Sequence, residues 1–345
     1  MLAMAAGALL LAGCAHKLEW RKETLRQVYD TPEGFYCYAP TIVRQGSREQ
    51  ILACHNSEPG IIRDDIYHIE SAAGGMKAVS VFKAGSDKAW DSFHVCDPSV
   101  VSGRFRFQGV QYPWAMFYLG NNVDASRNNQ VGVAFAKNLR GPWHRHPEPL
   151  VPHPPVGVWG TGQPSAVYDG RDRLLLFYTT GIPPTAGYVR EVDLRDMAAP
   201  RVGPEIKLST NGLMRANGSP DHWNNFEMAY DRKRDRFWAL REKRPYPANE
   251  PTKITSHLEV LSLPASDILN SNAQWRVEGV IDPELTGHLR NHNAAFVRTP
   301  TGALPSSDAI RIVFATSCAG DECRGKLPLW TYDLWEITGR VGRGE

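Results

Sequence analysis

The sequence predicts an all-β chain folded as a five-bladed β-propeller, and three observations carry that prediction. One phrase is written five times: a polar residue, small and β-branched residues, a polar turn, then an aromatic-rich strand. Copies of a β unit too small to bury its own face must stack, and radial stacking gives a propeller. Thirty Gly and 25 Pro punctuate the chain with turns and interrupt helices. Between residues 34 and 337 no stretch keeps a 3.6-residue hydrophobic period.

The copies pair residues 38–43 with 50–54, 96–101 with 114–120, 162–167 with 174–179, 226–230 with 236–240, and 292–297 with 310–315. The aligned positions are Ala39, which breaks the polar pattern, then Asp97, Gln163, Glu227 and Asn293, at steps of 58, 66, 64 and 66 residues. A third strand follows most copies, at Gln130–Ala136, 187–192 and 257–261, and residues 329–335 supply it for the fifth. Residues 17–29 are expected as a short helix or tether. A β-sandwich with coincidental spacing is the competing architecture.

Composition narrows the function. Lys and Arg number 39 against 37 Asp and Glu, a net charge of +2, so the chain lacks the basic surplus of a nucleic-acid binder. Hydrophobic residues at 42% and charged residues at 22% describe a globular protein. No phosphate-cradling glycine loop, Gly-x-Ser-x-Gly elbow or His-Glu-x-x-His occurs. No Cys-x-x-Cys pair suggests zinc, so neither metal nor cofactor is expected.

The first eleven residues, MLAMAAGALLL, are apolar but too few to span a bilayer as a helix. Leu11-Ala12-Gly13-Cys14 follows, then polar residues. This resembles the lipobox of bacterial lipoproteins, which implies cleavage before Cys14, acylation of its thiol, and a protein held at the cell envelope by lipid alone. An ordinary secretory signal is the alternative. The expected organisation is a signal peptide over 1–13, a lipidated Cys and tether over 14–34, and a propeller over 35–340, monomeric. Of the other cysteines, Cys318 and Cys323 suit a local disulfide, and Cys37, Cys54 and Cys96 can supply one more bridge with a thiol left over.

In a propeller the first strand of each sheet lines the axis, so the five aligned positions converge. Two are carboxylates, Asp97 and Glu227, and glycoside hydrolysis uses one protonated and one ionised carboxyl group. Asp97-Pro98-Ser99, with the later segment Gly-Val-Ala-Phe-Ala-Lys-Asn-Leu-Arg-Gly-Pro-Trp over 132–143, resembles glycoside hydrolase family 43 and its five-bladed relatives. The resemblance, over roughly 36–337, implies Asp97 as general base and Glu227 as general acid of an inverting hydrolase acting on an oligo- or polysaccharide. It places Gln163 where the family carries a second Asp, which favours an alternative: a propeller that binds glycans or an envelope partner without turnover. Glycosyl transfer in the same pocket is a third reading. His292 and Asn293 are candidates for sugar hydroxyls. Trp159 and Trp223 are candidates for stacking on sugar faces. Arg241, with Glu242 beside it, is placed at the channel mouth.

Overall fold

The computed structural model describes residues 17–73, 75–124, 126–153, 157–181, 185–215, 217–326 and 332–342. The N-terminal strand is Leu18–Tyr29 (β1). The first sheet is an antiparallel meander of Cys37–Gln45 (β2), Arg48–Asn56 (β3), Asp64–Ala72 (β4) and Gly75–Phe82 (β5). His94–Phe107 (β6), Val110–Asn121 (β7), Gln130–Ala136 (β8) and His144–Arg145 (β9) form the second. In the third, Thr161–Tyr168 (β10), Leu174–Thr180 (β11) and Ala186–Asp193 (β12) are edged by Arg201–Val202 (β13) and Ile206–Lys207 (β14). Phe226–Asp231 (β15), Arg236–Glu242 (β16), Leu258–Pro264 (β17) and Arg276–Ile281 (β18) make the fourth. The fifth contains Arg290–Arg298 (β19), Ala309–Ser317 (β20) and Leu334–Val341 (β21), completed by β1 from the opposite end of the chain.

The first and fifth sheets join edge to edge through a short parallel pairing of β19 with β2, Val297 opposite Ile42, so eight strands share one ladder. Divided at that pairing, the molecule is five meanders, and the repeat read from the sequence is a β-propeller. Alternation explains the packing, since successive strand residues face opposite sides. Phe177, Val189, Met228, Phe237 and Leu261 fill the space between the third and fourth sheets, and Phe117, Val133, Phe135 and Leu176 that between the second and third.

Residues 18–29 are therefore neither helix nor tether. Leu18 pairs with Val341 and Tyr29 with Leu334, Leu18 is 4% exposed, and the propeller begins at Leu18, not 35. The ladder between them is irregular between Arg21 and Arg26, which breaks the alternation that would mark a strand in the sequence. The last strand of the fifth sheet is β21, five residues later than the expected 329–335, of which 329–331 lie outside the described residues. Cys14 also lies outside them.

Candidate functional site

Four of the first strands share one irregularity at their axial end. The ladder skips two residues between Tyr38 and Thr41, Cys96 and Ser99, Gly162 and Ser165, and His292 and Ala295. The first residue of each skipped pair is left-handed: Ala39 at φ 47°, Asp97 at 48°, Gln163 at 53° and Asn293 at 41°. Non-glycine residues rarely take that conformation. Pro40, Pro98 and Pro164 follow three of them, suited to a position with no ladder hydrogen bond to donate. In the fourth sheet the left-handed residue is Asn225, φ 45°, immediately before β15. The sequence alignment of that copy is thus two residues late: Asn225, not Glu227, is the counterpart of Asp97.

The left-handed residues are linked around the ring. The Asp97 N–H donates to Cys54 Sγ (3.0 Å), the Gln163 N–H to the Asp97 carboxylate, and the Asn225 N–H to Gln163 Oε1 (2.9 Å). The Asn293 N–H donates to Glu242 Oε1 at 3.4 Å. Above this ring lies a cavity of about 420 Å³ lined by Asp97, Gln163, Asn225, Glu242, His292 and Asn293, with Tyr38, Trp159, Tyr246 and Tyr332 as aromatic walls.

Glu242 is 1% exposed as a residue, yet its carboxylate borders the cavity. Oε2 accepts from the Tyr246 hydroxyl and Oε1 from the Asn225 amide, each at 2.5 Å, and His292 Nδ1 meets Oε1. With the Asn293 N–H, three hydrogen-bond donors converge on this carboxylate. Asp97 differs. Burial pushes its carboxyl up to about 7, helped by the negative charges of Asp64 and Glu242 and opposed by the Gln163 N–H. Asn293 Oδ1 is buried with no hydrogen-bond partner among the described residues.

Glu227 sits two residues further along its strand, in register with Thr41, Ser99, Ser165 and Ala295. In three sheets this side chain caps a backbone N–H of the next sheet. Ser99 Oγ accepts from Ala166 N, Ser165 Oγ from Met228 N (both 2.9 Å), and Glu227 Oε2 from Phe296 N (2.5 Å). Glu227 Oε1 also pairs with Arg298 at 3.0 Å. Arg298, 1% exposed, lies on the axis and reaches Thr41, Ser99, Ser165 and Met228 on the other four sheets. Burial raises the Glu227 carboxyl to about 7 against the pull of Arg298 and the Phe296 N–H. Glu227 does not line the 420 Å³ cavity; with Asp97, Gln163, Asn225 and Asn293 it borders a crevice of about 40 Å³ below the ring. This corrects its expected place in the pocket: the carboxylate is engaged in locking sheets together.

Trp223 and Arg241 are also corrected. Trp223 is fully buried, edge-on to Trp275 at 5.0 Å, its Nε1 donating to Ser209 O at 2.8 Å. Arg241 is fully buried too, bound to Asp221 Oδ2 and Glu259 Oε2, each at 2.6 Å. Arg241 and Glu242 are consecutive on β16, so only one of them can face the cavity, and it is Glu242. Trp159, Gln163, His292 and Asn293 line the cavity.

Cys54–Cys96 and Cys318–Cys323 are disulfides and Cys37 is a buried thiol. The first joins β3 to β6 beside Asp97. With Asp97 its sulfurs form a cluster of metal-ligating type, but sulfurs bound to each other offer no thiolate.

No protein-family profile and no curated protein matches the chain. Solved structures do. A family 117 glycoside hydrolase of the marine bacterium Zobellia galactanivorans superposes with a TM-score of 0.62 at 11% identity, covering 95% of this chain and 92% of that one. An α-L-arabinofuranosidase from Podospora anserina, solved with cellotriose, gives 0.59 at 12% identity and coverages of 95% and 98%. A thermostable family 43 glycoside hydrolase gives 0.56 at 14%, covering 90% and 91%. The chain has the fold of the five-bladed β-propeller glycoside hydrolases. Across nearly its whole length it is similar to enzymes of families 43, 62 and 117.

Proposed function

We propose that the chain is a glycoside hydrolase acting on an oligo- or polysaccharide in the axial cavity, with Asp97 and Glu242 as its two carboxyl groups. One observation carries this reading: carboxyl groups from the second and fourth sheets border the same 420 Å³ cavity, one pushed up to about 7 with only the Gln163 N–H opposing the shift, the other held by the Tyr246 hydroxyl and the Asn225 amide. Environments that differ in this way separate an acid from a base. Asp97, with its carboxyl near 7, gives its proton to the departing glycosidic oxygen as the C1–O bond breaks. Glu242 takes a proton from the water whose oxygen bonds to C1. Attack from the opposite face inverts the anomeric centre. These roles depart from the family resemblance, which makes Asp97 the base. Trp159, Tyr38 and Tyr332 offer ring faces to the sugar, and Asn293 Oδ1 and His292 offer hydrogen bonds.

The test is turnover of nitrophenyl glycosides and of plant and bacterial polysaccharides by the chain from Lys17, which retains every described strand. Asp97→Asn and Glu242→Gln should each lower kcat about 100-fold or more, while Glu227→Gln retains turnover. NMR of the first product reports the anomer. Activity that survives both pocket substitutions rejects the assignment.

A second reading is glycan binding without turnover. Gln163 favours it: an amide stands where the family resemblance places an acid, and its Oε1 is occupied by the Asn225 N–H. Saccharide binding with no hydrolysis across the panel would establish that reading. We further propose that Cys14 is acylated and anchors a monomer at the bacterial cell envelope, supported by the Leu-Ala-Gly-Cys motif. Labelled palmitate should enter the full chain and be lost in Cys14→Ser.

A further inference from the structure

The end of the propeller opposite the cavity carries a groove of about 680 Å³. It is formed where β6, the β10–β11 turn, β12 and the loop at Thr301 meet. Five arginines line it against three carboxylates, Asp172, Glu191 and Asp193. Arg173 and Arg195 are engaged by Asp169, Glu191 and Asp193. Arg104, Arg171 and Arg232 are exposed, and among the described residues none of the three meets a carboxylate. The Arg232 guanidinium donates to Thr301 Oγ1 at 2.8 Å.

Strand direction places the N-terminus at this same end. Each first strand runs away from the cavity, β19 from Asn293 to Arg298, and β20 returns. β21 descends again to Val341, whose partner is Leu18. Cys14 is four residues before Leu18, a reach of at most about 14 Å.

We propose that this groove binds the phosphate-bearing headgroups of anionic phospholipids, so that the arginine face rests on the membrane and the cavity points away from it. Three exposed guanidinium groups outside any ion pair suit phosphate oxygens, and the four-residue step from Cys14 to Leu18 leaves this face adjacent to any bilayer holding that cysteine. The orientation rests on the proposed acylation of Cys14. The groove is tested without it, so the two ideas fail separately, and neither test reads hydrolysis.

The chain from Lys17, unacylated, is sedimented with vesicles of phosphatidylcholine alone or with added phosphatidylglycerol, at low and high salt. It should bind only the anionic vesicles, and more weakly as salt rises. Arg104→Gln, Arg171→Gln and Arg232→Gln together should weaken binding roughly a hundredfold, about fivefold per cation, with an unchanged melting temperature. A single Arg171→Gln variant should show its fivefold share. Equal binding to both vesicle types, none to either, or an unaffected triple variant overturns the proposal. Capture by dextran sulfate without vesicle binding also overturns it and assigns the groove to acidic glycans.

Discussion

Replacing Arg298 by Met tests whether the axis is held by a single ion pair. The guanidinium is 1% exposed, pairs with Glu227 at 3.0 Å and reaches groups on the four other sheets. Methionine preserves the stem and removes the charge. Above pH 7, where the Glu227 carboxyl is ionised, it leaves that anion buried without its counter-ion, and at any pH it leaves the Met228 carbonyl without its 2.9 Å donor. Removing one partner of a buried pair costs about 3–5 kcal/mol. For a chain of this size that is a fall in Tm of about 4–7 °C. Adding Glu227→Gln removes the stranded anion, so the double variant should lose less than the sum of the singles, by about 1–3 kcal/mol. Differential scanning calorimetry of the four proteins closes the cycle. Protonation gives a further check. The folded Glu227 carboxyl lies near 7, above its ordinary 4.5, so the folded state keeps a proton that the unfolded chain has released. That contribution to stability is full below 4.5 and is lost as pH rises towards 7, a slope that Glu227→Gln should flatten. An Arg298→Met melting point within about 2 °C of the parent, or strict additivity, would refute the role given to the pair.

Other perturbations reach different parts of the molecule. With Asp97 as acid near 7, kcat/KM should decline as pH rises through that value, and Asp97→Asn should remove this limb of the profile. Cys54 and Cys96 are 42 residues apart, so Cys54→Ser with Cys96→Ser should cost about 4 kcal/mol in chain entropy. It should also loosen Asp97, whose N–H donates to Cys54 Sγ; denaturant midpoints and KM report the two effects. Deleting residues 17–29 exposes β21 and the surface packed on Leu18, so the truncated chain should aggregate where the full one remains monodisperse in gel filtration. Gly160→Ala brings a Cβ to 2.2 Å from the Asn129 carbonyl oxygen at φ 98°; it should lower Tm and shift Trp159 fluorescence.

The repeat was legible because each first strand carries the same job: small residues near the axis and an interrupted end at the cavity. The fourth copy misled by two residues for a physical reason. It has no proline after its left-handed residue and no ladder ahead of it, so Asn225 leaves no mark, while Glu227 has the acidity expected of a pocket residue. Glu242 belongs to a second strand and reaches the cavity only because β16 ends there. The step of one residue that separates it from buried Arg241 is set by which face of the strand points inward. Trp223 and Trp159 are equally aromatic in composition; the space beside Gly187 holds the first, while the second stands at the rim. Strand β1 hid behind its own irregularity and its charges, since only one side of it is covered.

Because the fifth sheet takes one strand from each terminus, the ring cannot shut until the final residues have joined the first. Synthesis from the N-terminus therefore delivers β1 first and β21 last, and β1 waits unpaired between the two. Cooperative closure comes only once β21 has been made, so the ring forms late and as a whole, not one sheet at a time.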